Sequence, residues 1–294
     1  MSRYSIKITA SIVFYKDFCI KMAELKVETI DSFQNYFSLV DKGQNGDISS
    51  LWFRGQGKAS YKLSPSIHRH TAINNSEQLF TMEKKLLTRY KERSVPYLKN
   101  QLNDNWELLF LMQHFGMPTR LLDWTENPLI ALFFALSSSS KNSHGDYDED
   151  AAVWVMSPSK WNETIFKGQT YIGGAMSPSD GFVNNGYSLD ADVRYINEYP
   201  VAILGIHNSP RIVAQRGSFC LFGKSLDSMD DIYSRVGDDK VPFPNDTLTK
   251  IIIPAALISV LLERLVWMGI TDAVIYPDLE GLAKETKRQF GYRV

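Results

Sequence analysis

The chain has 294 residues, which suffices for one large domain or two of ordinary size. A hydrophobic share of 44% and a charged share of 22% are those of an ordinary globular protein and exclude a disordered or fibrous chain. The 32 Lys and Arg residues nearly balance the 33 Asp and Glu residues. A net charge of -1 therefore gives no strong signal for nucleic acid and none for an anionic membrane as a partner.

The N-terminal segment is partly apolar, but Lys7, Lys16 and Asp17 interrupt it and no small-residue cleavage site follows, so it is a poor signal peptide. No apolar run reaches the length of a transmembrane helix. We interpret residues 1–29 as an N-terminal extension, in which Met22 is an alternative start.

Apolar periodicity, capping residues and turn residues predict the secondary structure in chain order. Helices are predicted over 31–40, 76–95, 104–116, 129–136, 157–161, 255–268 and 279–290. Strands are predicted over 50–54, 120–124, 151–156, 201–206, 211–214, 218–222, 249–253 and 273–276, with the turn 215–217 joining 211–214 and 218–222 in a hairpin. Residues 137–150 form an exposed loop and about 163–200 a long irregular insertion. Helices cluster early and strands late, which is typical of the α+β class.

Several common kinds of site are excluded by the spacing of the residues that would form them. The two cysteines, Cys19 and Cys220, lie far apart and outside any metal-ligand spacing, which argues against a disulfide framework and a zinc site. The five histidines show neither HExxH nor HxxxH spacing, and no GxSxG, Walker or GxGxxG motif occurs. We therefore expect reduced thiols, a cytoplasmic location and no metal.

A polar island lies between two apolar segments in residues 113–136, QHFGMPTRLLDWTENPLIALFFAL. Polar side chains there need partners or a ligand, because an unpaired buried group costs about 1–3 kcal/mol. The helix 129–136 is apolar on every side and must be buried, so its N-terminus faces a cleft that suits a phosphate or carboxylate. The alternative is a self-satisfied cap made by Asp123, Thr125 or Asn127.

Arg54 is predicted at the end of a buried strand, next to Gly55 and Gly57, which leave room for a close approach. It either contacts a ligand or pairs with a carboxylate at the edge of the core. Combined with the polar island, the candidates for one cleft are Arg54, Ser66, Arg69, His114, Arg120, Asp123, Thr125 and Gln215. Arginines with hydroxyl groups suit a nucleotide or another phosphorylated small molecule, whereas separate surface salt bridges are the structural alternative.

Four segments resemble the FRG domain in that family's order: WFRGQ at 52–56, LSPSIHR at 63–69, MQHFGMPTRLLDWTENPLIALFFA at 112–135 and RIVAQRGSF at 211–219. The resemblance implies one domain over residues 30–294, interrupted by the insertion at about 163–200. We expect this single α+β domain to contain a split, mainly antiparallel sheet flanked by helices.

A more remote resemblance is to ADP-ribosyltransferase folds, and it implies NAD as the cofactor. In those enzymes an Arg or His lies on a first core strand, a hydroxyl residue precedes a buried helix, and a catalytic Glu lies on a later strand. Arg54 is similar to the first element and Thr125 to the second, but Gln215 stands near the expected Glu. A carboxylate must stabilise the oxocarbenium-like transition state, so Asp123 or Glu126 would have to replace it.

Three interpretations follow. The first is an ADP-ribosyltransferase-like enzyme or NAD glycohydrolase with an unknown acceptor. Its catalytic candidates are Asp123, Glu126, His114 and Gln215, and its cofactor-binding candidates are Arg54, Gln56, Ser66, Arg69, Arg120 and Thr125. The second is a non-catalytic module that binds a nucleotide or a nucleic-acid end in the same cleft. The third is a structural network in which Arg120 pairs with Asp123 inside the core.

Overall fold

A computed structural model describes residues 24–43, 51–98, 102, 104–166, 173–205, 210–235 and 243–292. Within these residues, seven strands form one sheet in the order β1-β7-β4-β2-β3-β6-β5. The strands are β1 (Lys26–Thr29), β2 (Trp52–Gln56), β3 (Leu121–Thr125), β4 (Ala151–Met156), β5 (Val201–Leu204), β6 (Gly217–Leu221) and β7 (Leu248–Ile253). Strand β1, in the segment interpreted as an N-terminal extension, pairs in parallel with β7, and the other strand pairs are antiparallel.

The described residues also form eleven α-helices. These are α1 (Phe33–Gly43), α2 (Ser76–Ser94), α3 (Asn105–His114), α4 (Pro128–Ser137), α5 (Pro158–Ile165), α6 (Gly181–Tyr187), α7 (Pro210–Gln215), α8 (Met229–Arg235), α9 (Ile258–Trp267), α10 (Asp272–Ile275) and α11 (Leu279–Gln289). Short 3-10 helices cover Ser66–Arg69, Val95–Tyr97, Val193–Tyr195 and Ala255–Leu257. None of the helices in the described part of the chain combines the length and hydropathy needed to span a bilayer.

The sheet opens between β2 and β3. These two strands are paired at one position, Phe53 with Thr125, whereas every other neighbouring pair is joined at four to six positions. The opening divides the sheet into a β1-β7-β4-β2 half and a β3-β6-β5 half. The predicted α+β fold with a split, mainly antiparallel sheet is therefore confirmed.

Helices cover both faces of the sheet. On one face, Phe53 and Val153 point toward α1, α4 and α9, with which they form one apolar core. Successive strand residues point to opposite faces, so Trp52 and Trp154 pack on the other side with helices α5 and α8. Both faces of the central strands are therefore buried, which accounts for the almost continuous apolar sequence of β4.

Helix α4 packs very closely on β2 at Gly55. A Cβ atom built on Gly55 would lie 1.9 Å from the carbonyl oxygen of Ala131, and one on Gly57 would lie 2.3 Å from that of Ser138. The space that these glycines leave is thus occupied by the backbone of α4 and the residue after it. The glycines of the WFRGQG segment serve packing of the core in this structure.

Two predicted strands are helices. Residues 211–214 belong to α7, which starts at Pro210, and residues 273–276 overlap α10. Both segments contain β-branched residues that favour strands locally, but Pro210 favours a first helical turn and lacks the N–H that a sheet requires. The hairpin is consequently a β5–β6 pair with α7 between its strands.

The insertion predicted at about 163–200 contains ordered structure where the structure describes it. Helix α6 buries Val183 and Tyr187 completely, and they pack with Leu109 and Phe219 in a core next to β5 and β6. This part of the chain therefore covers the β3-β6-β5 half of the sheet.

Candidate functional site

A cleft of about 580 Å³ lies at the opening between β2 and β3. The middle of β2 and the C-terminal end of β3 line it, together with the C-terminal end of α3, helix α4, helix α7 and the start of α11. Six residues predicted for a site lie on its walls: Arg54, Ser66, His114, Asp123, Thr125 and Gln215. Its size is within the usual range for small-molecule sites.

Arg54 lies in the middle of β2 rather than at its predicted end, because Gly55 and Gln56 continue the pairing with β4. Its side chain projects into the opening and is 18% exposed. Its Nη1 donates a hydrogen bond of 2.6 Å to the backbone oxygen of Asp123, across the gap where strand pairing stops. Its buried Nε has no hydrogen-bond partner among the described residues. Burial lowers the pKa of Arg54, with Asp123 opposing and Arg69 adding to the shift, but an arginine remains protonated at neutral pH. Arg54 is thus a cation with unused donor capacity.

Asp123 is the exposed residue of β3, between Leu122 and Trp124, which are buried. Its side chain is 58% exposed and lies on the cleft wall. Its Oδ2 accepts a hydrogen bond of 2.8 Å from Nε2 of Gln113 and lies 3.8 Å from Nη1 of Arg54. The cleft therefore holds an accessible carboxylate close to an arginine.

Thr125 and Gln215 hold the two walls together. The Thr125 hydroxyl donates a hydrogen bond of 2.6 Å to the backbone oxygen of Gln215 and accepts one of 3.0 Å from the Asn127 N–H. The Gln215 amide donates to the backbone oxygen of Ile275 at 3.1 Å. Asn127 caps α4 by accepting from Leu129 and Ile130. The first turn of α4 is therefore self-capped, as in the alternative interpretation, and the Thr125 hydroxyl is already bonded.

Arg120 lies outside the cleft. It is completely buried, and its Nε donates to the carboxylate of Glu83 at 2.8 Å. Its Nη1 and Nη2 donate to the backbone oxygens of Phe222 and Tyr187, each at 2.8 Å. The expected contact of Arg120 with a pyrophosphate is not supported, and neither is its pairing with Asp123, because Glu83 is the buried partner.

Three other candidates also lie off the cleft wall. Gln56 is buried, donates to the backbone oxygen of Lys62 and accepts from Nε1 of Trp154. Glu126 follows β3 and bonds through its backbone N–H to the oxygen of Arg216. Arg69 is exposed, and its positive charge lies close enough to lower the pKa of Arg54. Of the two carboxylates proposed from the sequence, Asp123 is the one in the cleft.

His114 and Arg211 form another part of the wall. Burial lowers the pKa of His114, Arg211 lowers it further and Asp278 opposes the shift, so the ring is mainly neutral at pH 7. The Arg211 guanidinium lies 4.5 Å from the centre of the Tyr276 ring, a cation–π contact. Sequence reasoning missed Arg211 because it placed residues 211–214 in a strand, although the RIVAQRGSF segment contained the signal.

A second carboxylate, Glu280, lines the cleft from the first turn of α11. It is 74% exposed and pairs with Lys284 at 2.7 Å, an i,i+4 contact on the same helix. Among the described residues, no three His, Cys, Asp or Glu side chains are grouped so as to hold a metal ion.

His68, in the LSPSIHR segment, should make the stability of the protein depend on pH. Burial, and then Arg120, lower its pKa to about 4. An unfolded histidine titrates near 6.5, so between about pH 6.5 and 4 the unfolded state binds more protons and the free energy of unfolding falls as the pH falls. We expect His68→Phe to remove up to about 3 kcal/mol of this acid destabilisation, measured by urea denaturation from pH 7 to 4.

The matched control for this pH prediction is His144→Phe, because His144 is exposed in the loop after α4. It should leave the acid destabilisation of the wild type unchanged. An equal pH dependence in the wild type and His68→Phe would show that other groups cause it.

Three of the four segments that resemble the FRG domain, at 52–56, 63–69 and 112–135, are joined by hydrogen bonds beside the cleft. Ser66 accepts a hydrogen bond from the N–H of Thr119, and Thr119 accepts one from the N–H of Ile67. Arg54 in turn bonds to Asp123. In comparisons with known proteins, no curated protein and no solved structure matches the chain. The model of the FRG domain matches residues 49–144, which include these three segments but not the fourth, at 211–219, and this part of the chain is therefore identified as an FRG domain.

Proposed function

We propose that the cleft binds NAD and cleaves the glycosidic bond between its nicotinamide and ribose. The observation that carries this proposal is an accessible carboxylate, Asp123, in the same cleft as Arg54 and Arg211. The arginines suit the phosphates, and the carboxylate suits the positive charge that develops on the ribose. The proposal includes a cytoplasmic location.

The phosphates would bind to Arg54 and Arg211. Arg54 has unused donor capacity, and Arg211 has a cation–π contact but no carboxylate partner within the described ranges. Planar guanidinium groups bind phosphate oxygens through pairs of hydrogen bonds. Phe115, which is 66% exposed, and the partly exposed Phe134 line the cleft and offer ring surfaces to a base.

Asp123 would act on the bond that breaks. When the bond between ribose C1′ and the nicotinamide nitrogen breaks, its electron pair passes to that nitrogen and neutralises the pyridinium charge. Positive charge then develops on the ribose ring, and a carboxylate stabilises it electrostatically. The oxygen of water bonds to C1′ and its proton passes to solvent, which gives nicotinamide and ADP-ribose. With another nucleophile in place of water, the same step is an ADP-ribosyl transfer.

The test is the release of nicotinamide from NAD by the purified protein, measured by chromatography. We expect Asp123→Asn to lower kcat by about 100-fold, because it removes the charge and keeps the shape. Arg54→Ala should weaken NAD binding, measured by calorimetry. Glu126→Gln is the matched control and should leave turnover unchanged, since Glu126 lies off the cleft wall. Turnover that survives Asp123→Asn would contradict the proposed role of the carboxylate.

A non-catalytic nucleotide-binding module is the second candidate. It is favoured by Gln215, an amide where the remote resemblance expects a glutamate, and by the Arg54 charge 3.8 Å from Asp123, which partly offsets the carboxylate. In that case NAD or a simpler nucleotide would raise the melting temperature of the wild type but not of Arg54→Ala. No nicotinamide would be released by either protein.

A further inference from the structure

We infer that Thr119 and Gln113 are positioning residues that hold the Asp123 carboxylate in place and keep it from closing onto Arg54. This inference rests on the proposed function for the role of Asp123 in catalysis. The hydrogen-bonded chain itself can be measured without any turnover.

The direction of each hydrogen bond in the chain follows from the available donors. The Thr119 hydroxyl accepts a bond of 3.1 Å from the N–H of Leu121, so its own hydrogen is directed to Oε1 of Gln113, 2.5 Å away. With its oxygen facing Thr119, the Gln113 amide must present Nε2 to Oδ2 of Asp123, 2.8 Å away. The Thr119 hydroxyl thereby fixes which side of the Gln113 amide faces the carboxylate.

Thr119 is itself held rigidly. It is completely buried, its N–H donates to the Ser66 hydroxyl at 3.3 Å, and its carbonyl accepts from the Ile67 N–H at 3.4 Å. The LSPSIHR segment therefore anchors the start of the chain that ends at Asp123. This assigns Ser66 a supporting role behind the carboxylate, although it also lines the cleft.

The hydrogen bonds from Thr119 through Gln113 to Asp123 determine whether Asp123 pairs directly with Arg54 in the cleft. Gln113 occupies Oδ2 of Asp123, and within the described residues Oδ1 has no hydrogen-bond donor, so Oδ1 remains for a ligand. Nη1 of Arg54 lies 3.8 Å from Oδ2, beyond hydrogen-bonding distance, and bonds instead to the Asp123 backbone oxygen. Without Gln113, an exposed carboxylate this close to a guanidinium would rotate into a direct ion pair, and both charges would be compensated.

The test compares Thr119→Val, which keeps the shape of the side chain but removes its hydroxyl, with Thr119→Ser, which keeps the hydroxyl. We expect Thr119→Val to lower kcat for NAD cleavage by about 10-fold with the KM for NAD changed less than about 2-fold, as for other residues that orient a reacting group. Thr119→Ser should keep kcat near the wild-type value, because it retains the hydroxyl group. Equal kcat in both variants and the wild type would overturn the inference.

A second measurement separates this inference from the proposed function. Nuclear magnetic resonance of the Gln113 side-chain amide, identified by its loss in Gln113→Leu, should show slow hydrogen exchange in the wild type and Thr119→Ser. Exchange should be faster in Thr119→Val. Should the wild type release no nicotinamide yet show this pattern, the proposed function fails and the hydrogen-bonded chain stands. If the exchange of the Gln113 amide is unchanged in Thr119→Val, Thr119 does not hold Gln113, and the inference is overturned whatever the activity.

Discussion

Arg120→Met is expected to destabilise the protein by about 3–5 kcal/mol, because it leaves the buried carboxylate of Glu83 without its partner. The substitution also removes the donors for the backbone oxygens of Phe222 and Tyr187, which tie the end of β6 and the end of α6 to the start of β3. Urea denaturation at pH 7, followed by circular dichroism, measures the loss directly.

The matched control is Arg194→Met. Arg194 forms an ion pair of 2.7 Å with Asp192, but its side chain is 79% exposed. Water screens the attraction between exposed charges, so this variant should lose little stability. The double variant Arg120→Met with Glu83→Leu should be more stable than Arg120→Met, since it removes the unpaired buried charge. Equal losses for Arg120→Met and Arg194→Met would show that burial does not set the cost.

A loss of activity has a different meaning in variants of Arg54 and of Arg120. Arg54 lies in the middle of β2 and Arg120 directly before β3, and both belong to the segments that resemble the FRG domain. A variant of Arg120 would lower any activity by destabilising the protein, whereas Arg54→Ala removes a cleft side chain that is partly exposed. Only the Arg54 variant, tested while folded, reports on ligand binding.

Local signals in the sequence predicted much of the fold. The caps at Asp104, Asn127 and Asp278 place the starts of α3, α4 and α11, because each side chain accepts bonds from the first helical turn. The continuous apolar sequence of β4 gave its bounds. Such features depend on neighbours in the sequence and can therefore be recognised without the structure.

The features that could not be predicted depend on contacts between residues far apart in the sequence. The β-branched residues of α7 and α10 favour strands locally, and packing against the sheet and α11 determines that they are helical. The sequence also could not distinguish Arg54 from Arg120 as a cleft residue. That difference depends on Glu83, which is 37 positions before Arg120, and on the oxygen of Phe222, which is 102 positions after it.

The roles of the two glycines in the WFRGQG segment were likewise hidden. Their spacing indicated a close approach, but not that the approaching group is the backbone around α4. This leads to the prediction that Gly55→Ala destabilises the protein by more than about 3 kcal/mol, a large part of a typical total of about 5–15 kcal/mol. The added methyl group would lie 1.9 Å from the Ala131 oxygen and 2.5 Å from the Ala135 nitrogen. Both are backbone atoms, so the whole helix must shift.

Gly181→Ala is the control for this effect, because a Cβ at Gly181 meets no atom within 4 Å and Gly181 begins α6. It should change the free energy of unfolding by less than about 0.5 kcal/mol. Thermal denaturation of both variants decides between two roles for Gly55. If Gly55→Ala is as stable as Gly181→Ala and instead weakens NAD binding, the glycine serves the ligand. A large loss of stability means that Gly55 sets the distance between β2 and α4, and thereby the position of Arg54 at the cleft.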